Sequence, residues 1–225
     1  MTDGGGHAPA PISDLFASAV HRYGKVWADL AVAAVVAGAA ATAVVVAADF
    51  VWGAGGLIVT ALLAYPMAYF EFLGWVMLRG LPAPPPRRRV GAAAVAAAGT
   101  GVLAGVLVYV LGPFAAVVAP LLLFAVPAVA AGDVRPVAAV PRAASLAVRN
   151  FTRTWAVWAI ALVFCAPIGI SMFLVVSAFA GAGASILLGA ALAVPIAWPF
   201  SALFVRALYG DLTGRSVVAP QDRTR

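Results

Sequence analysis

Charge is scarce in this chain. Asp, Glu, Lys and Arg make up 10% of its 225 residues, against roughly a quarter in a soluble domain. Cysteine and histidine are scarcer still, with one and two copies. A lone cysteine, Cys165, excludes an intramolecular disulfide and any Cys-based metal site. It lies inside an apolar run and reads as a small packing residue. His7 falls in a polar N-terminal stretch and His21 in an amphipathic one, neither with a partner at ligand spacing. No Gly-x-Ser-x-Gly elbow, P-loop or His-Glu-x-x-His motif is present. The glycine-spaced run "GTGVLAG" (99–105) suits close helix packing better than a phosphate loop. These absences point away from an enzyme and imply no cofactor and no metal.

Apolar residues are what the chain has in excess, at 64%. About 20 consecutive apolar residues cross a bilayer as a helix. Six stretches qualify, at about 30–48, 55–78, 91–111, 114–131, 155–179 and 184–208. The third and fourth are joined only by "LGPF", and the last two turn at "AFAGAGAS". Continuous apolar runs favour helices, since a barrel would alternate polar and apolar residues. The N-terminus has no basic region leading directly into an apolar core, so it is not an ordinary secretory signal. Cleavage at "VVVAADF" (44–50) would need a leader close to fifty residues long.

The basic residues outnumber the acidic ones, 14 to 8, for a net charge of +6. All of them lie before the first stretch, between two and three, between four and five, or in and after the end of six. Basic loops mark the cytoplasmic side. The expected topology therefore has an even number of spans and both termini in the cytoplasm, in the plasma membrane. The surplus fits anionic lipid rather than nucleic acid. "LPAPPPRRRV" (81–90) reads as a stiff linker that lays Arg87, Arg88 and Arg89 on the lipid surface. Prolines 66, 120, 127, 167, 195 and 199 fall within the stretches. Such kinks can serve a gate or simply shape a bundle.

Two amphipathic segments are expected to lie in the membrane interface, at about 12–29 and 135–154. On a helix at about 100° per residue, Arg135, Arg142, Arg149 and Arg153 share one face. Val140, Ala144, Ala147, Val148, Phe151 and Trp155 share the opposite one. Residues 19–28, "AVHRYGKVWA", match 147–156, "AVRNFTRTWA", as A-V-[HR]-x-[YF]-x-[KR]-x-W-A. Arg22 and Lys25 of the first copy stand with the arginines of the second as expected headgroup contacts. "PMAYFEFLGWVMLRG" (66–80) and "PFSALFVRALYGDLTGR" (199–215) end the second and sixth stretches in loosely corresponding ways. A parallel internal repeat follows, each unit an interfacial helix and two spans.

The run "LFAVPAVAAGDVRPVAAVPRAASLAVRNFTRTWAV" (123–157) resembles the six-span membrane domain of some glycerophosphoryl diester phosphodiesterases and of related bacterial membrane proteins. It follows that family's pattern of a span, a short acidic loop and A-x-x-R-S-x-x-L-x-x-x-N-F, with Asn150 and Phe151 at the last two places. "LFASAVHRYGKVW" (15–27) and "ALYGDLTGR" (207–215), with Tyr209 and Asp211, add to the likeness. Asp133 stands where the family often has Glu, and Ala144 where its Ser would stand. The resemblance implies no diesterase activity, because the fused enzymes carry their catalysis on a separate soluble barrel.

Ionisable residues within spans are costly and mark function or structure. Glu71 and Arg206 lie at similar depths in the second and sixth stretches. They either form an intramembrane ion pair, or Arg206 snorkels to headgroups while Glu71 sits protonated or in a wet crevice. Asp211 is expected to cap the last turn or meet a basic residue of an interfacial helix, with Tyr209 as an interface anchor. The whole reading is an all-α polytopic protein. One six-helix domain over 12–215 lies between disordered tails at 1–11 and 216–225. It would act as a non-catalytic module binding anionic lipid headgroups, a membrane protein partner or its own copy. A transporter or permease subunit is the alternative, and an enzyme acting on lipid ranks third.

Overall fold

The computed structural model describes residues 10–177 and 182–214. The expected C-terminal tail, residues 1–9 of the expected N-terminal one, and half of the "AFAGAGAS" turn lie outside these. Every described element is helical, and no strand occurs among the described residues.

Helix α1 (Ile12–Arg79) begins after Pro11, with Asp14 in its first turn, where a negative charge favours the helix dipole. It runs unbroken to Gly53, whose φ of 69° and ψ of −166° are non-helical. Glycine alone reaches that backbone region without a Cβ clash, so the chain turns there. Phe50, Val51 and Trp52 stand exposed at the corner. The first arm, Ile12–Gly53, is 42 residues long. At 1.5 Å per residue it measures about 63 Å, roughly twice a bilayer's hydrocarbon core. Residues 12–29 are thus the continuation of the first apolar helix rather than a separate interfacial one. One face of them packs inward: Phe16 meets the edges of Phe164, Phe200 and Phe204, with centroids 5.7–6.0 Å apart.

Helix α2 (Arg87–Leu111) lies along the second arm of α1. A Cβ on Gly101 would fall 2.4 Å from the Met67 Cα, and one on Gly105 equally close to the Leu62 carbonyl oxygen. The "GTGVLAG" run is therefore a packing seam in which two backbones touch.

The stretch at 114–131 is not one helix. It divides into a 3-10 turn (Gly112–Phe114), α3 (Ala115–Val118), a second 3-10 turn (Ala119–Leu121) and α4 (Ala125–Ala130). Pro120 falls in the second 3-10 turn, where it lacks an N–H and crowds the carbonyl four residues earlier. The carbonyl that Pro120 would have served in a helix is that of Ala116. The Trp158 indole donates to it at 2.7 Å, and the Trp155 indole donates to the Val117 carbonyl at 3.2 Å. Irregular backbone persists at membrane depth only where protein groups satisfy it. Residues 122–130 are fully packed in the core.

A 3-10 turn (Pro136–Ala138) and helix α5 (Ala139–Arg149) follow, then α6 (Phe151–Ser177) and α7 (Ala182–Leu212). The amphipathic helix expected at 135–154 ends at Asn150, where φ is −118° and ψ 40°. Its side-chain amide donates to the Leu146 carbonyl at 3.0 Å. Its backbone N–H reaches Leu146 and Ala147. Asn150 thus closes α5, and its own carbonyl accepts from Thr154 to start α6.

Among the described residues, four helices are long and apolar enough to cross a membrane: Ile12–Gly53, Ile58–Arg79, Arg87–Leu111 and Ala193–Leu212. Shorter apolar stretches cover Ala115–Ala130 and Phe151–Cys165.

Candidate functional site

The polar side chains gather at one end of the bundle, and contacts tie that end together. Asp211, near the end of α7, is only 6% exposed. Its Oδ2 lies 2.7 Å from Arg153 Nη1, an ion pair, and its Oδ1 accepts the Ala10 N–H at 3.0 Å. Arg153 Nη2 in turn donates to the Ala10 carbonyl. The chain entering α1 is therefore clamped between the start of α6 and the end of α7. Arg153 has left the face it shares on a wheel with Arg142 and Arg149, because the break at Asn150 rotates it inward. Tyr209 is buried, not an interface anchor, and its hydroxyl donates to Asp133 in the loop after α4.

Glu71 and Arg206 do not meet. Glu71 is exposed on α1, while Arg206 donates to the Gly80 carbonyl at 3.0 Å, just past the end of α1. The guanidinium occupies the space where a Cβ on Gly80 would stand, its Cζ 1.9 Å from that position. The arginine from that end of α1 pairs instead within its own helix. Arg79 lies 2.5 Å from Asp29 and 5.1 Å over the Trp75 ring. Both partners are about half exposed, so the pair contributes about 0.5 kcal/mol.

The remaining basic residues divide by burial. Lys25, Arg87, Arg88, Arg135, Arg142 and Arg149 are exposed; Arg22 and Arg89 are half-buried. On α5, Ala139, Ala143 and Ala147 face the core, leaving Arg142 and Arg149 outward. Phe151 and Trp155 stack with centroids 4.3 Å apart beside them.

Arg88, Arg89 and Arg135 line one cavity of about 720 Å³ between the start of α2 and the loop from α4 to α5. No carboxylate lines it. Arginines gathered on one wall can bind an oxyanion through charge-assisted N–H···O bonds. The sequence placed Arg88 and Arg89 at a lipid surface, and Arg135 on a helix face with Arg142 and Arg149. It did not show that Arg135 joins the first two.

A second cleft of about 270 Å³ is walled by Tyr65, Tyr69, Trp158 and Trp198. Its hydroxyls are engaged: Tyr65 with Thr42 at 3.0 Å and Tyr69 with Ser201 at 2.7 Å. Residues that sequence reasoning passed over include Trp158, Gly80 and the Ala10 backbone. Trp158 alone carried a signal, standing one helical turn after Trp155. No family model, curated protein or solved structure matches this chain.

Proposed function

We propose that the chain is a non-catalytic integral membrane module that holds anionic lipid headgroups at its basic end. The observation that carries this is the cavity lined by Arg88, Arg89 and Arg135 without a carboxylate. We read six crossings, counting the broken stretch at 115–130 and α6 with the four long apolar helices, and place both termini in the cytoplasm of a bacterial cell.

Two features support a parallel repeat. Ala19 and Ala147 are both fully buried, and Val20 and Val148 both exposed, at matching places of the two copies. In each unit an ion pair reaches the end of the second helix: Arg79 pairs with Asp29, partway along the first arm of α1, and Asp211 with Arg153, near the start of α6. The likeness of residues 123–157 to the diesterase membrane-domain family belongs to the same proposal.

A transport subunit is the second reading, and the observation that bears on it is the aromatic cleft. Its engaged hydroxyls offer ring faces rather than a solvated path, which suits a lipid tail better than a solute. Native mass spectrometry of the protein with its co-purified lipids tests the main reading. Anionic lipids are expected to be enriched over zwitterionic ones, and the enrichment should fall when Arg88, Arg89 and Arg135 are all changed to Gln. Equal retention of both lipid classes by the parent chain would refute it.

A further inference from the structure

We infer that the arginine cavity selects a phosphate headgroup carrying two negative charges over one carrying a single charge. This rests on the headgroup reading above and adds the ligand's class. Three observations lead to it.

The first is charge count. Three arginines line one space, and no acid is among its lining residues. Asp133, between the lining residues Gly132 and Val134, accepts from Tyr209 and keeps its negative charge, so the four side chains together carry about two positive charges. A single phosphodiester brings one negative charge and leaves about half of that surplus unmatched. A phosphomonoester brings close to two at neutral pH, and a pair of linked phosphodiesters brings two.

The second is where two of the arginines stand. Arg87, Arg88 and Arg89 open α2, a 25-residue helix with no acid in its first turn and no capping side chain. A helix N-terminus carries about half a positive charge and ordinarily attracts Asp or Glu. Here the first turn adds cations to it, an arrangement that an anion in the cavity would relieve.

The third is shape. Gly132 has a φ of +85°, and a Cβ there would lie 3.2 Å from Arg89 Nη2. The loop thus lets the Arg89 guanidinium lie against it from the α2 side, while Arg135 approaches from the loop's far end. The volume, about 720 Å³, is within the usual range of small-molecule sites.

The test uses the full chain in detergent, titrated with lipids of one acyl composition and read by native mass spectrometry. The lipids are phosphatidic acid, cardiolipin, phosphatidylglycerol and phosphatidylcholine, with inorganic pyrophosphate as a soluble competitor. Phosphatidic acid and cardiolipin are expected to bind about tenfold more tightly than phosphatidylglycerol, the gain of one further charge-assisted contact. Arg89→Gln should bring that ratio towards one, and Arg89→Lys, which keeps the charge, should restore most of it. Arg149→Gln lies outside the cavity and should weaken all anionic lipids alike, leaving the ratio. Equal affinity for phosphatidylglycerol and phosphatidic acid would overturn the selectivity while leaving the headgroup reading intact. Equal affinity for all four lipids would overturn both. Tight pyrophosphate binding without any lipid preference would mean that the cavity serves a soluble anion, and would overturn the lipid as its source.

Discussion

Asp211 accepts from the Ala10 amide and pairs with Arg153, and it is almost wholly removed from solvent. Removing one partner of such a buried pair leaves the other charge uncompensated, which costs more than the pair itself contributes. Asp211→Asn should lower stability by about 3 kcal/mol, read as a drop in the detergent thermal midpoint. Asp29→Asn, at the exposed pair with Arg79, should shift it by no more than about 1 kcal/mol. A comparable loss at both sites would show that the Asp211 clamp is not a buried one. The composition of "ALYGDLTGR" and "AVRNFTRTWA" pointed to Asp211 and Arg153 separately. The third member, the Ala10 backbone, lies 201 residues from Asp211 and has no side chain to announce it.

At the scale of elements, proline and tryptophan act as one device. Pro120 deletes the N–H that the Ala116 carbonyl would have used, and the Trp158 indole supplies another. Trp158→Phe should cost about 1 kcal/mol, the usual net worth of a hydrogen bond, plus any penalty for the orphaned carbonyl. In a Pro120→Ala background residue 120 regains its N–H, and the cost of Trp158→Phe should shrink. A double-mutant cycle checks this, and strictly additive losses would show that the indole does not stand in for the proline's missing donor. The prolines were plain in the sequence, and a kink was expected. What the apolar run concealed was that the chain breaks at Pro120, whereas α7 carries Pro195 and Pro199 inside one continuous helix. Asn150 behaved similarly: a wheel drawn through it kept Arg153 with Arg142 and Arg149, whereas the corner at Asn150 sent Arg153 to Asp211.

At the scale of the molecule, polar contacts tie together the ends of α1, α6 and α7 and the loop after α4. Arg206 joins α7 to Gly80, Arg153 joins α6 to both Ala10 and Asp211, and Tyr209 joins α7 to Asp133. The grouping of basic residues into alternate connections leads to a topological prediction under the positive-inside rule. Reporter fusions after Arg215 should report the cytoplasm, and fusions at Asp49 the outside. An external C-terminus would defeat the six-crossing arrangement.

The sequence by itself determined the class: an apolar, helical chain with helices long enough to cross a membrane. Composition and periodicity suffice for that, because lipid accepts only helices or closed barrels. Only the tertiary structure decided which polar groups meet. Glu71 and Arg206 occupy similar depths, yet helical phase turns one to the outside and the other to a backbone carbonyl. Arg135 joins Arg88 and Arg89 because a left-handed glycine and a 3-10 turn bend the loop after α4 towards the start of α2. Contacts of this kind depend on rotation about helix axes and on loop geometry between segments remote in sequence, and local pattern carries no record of either.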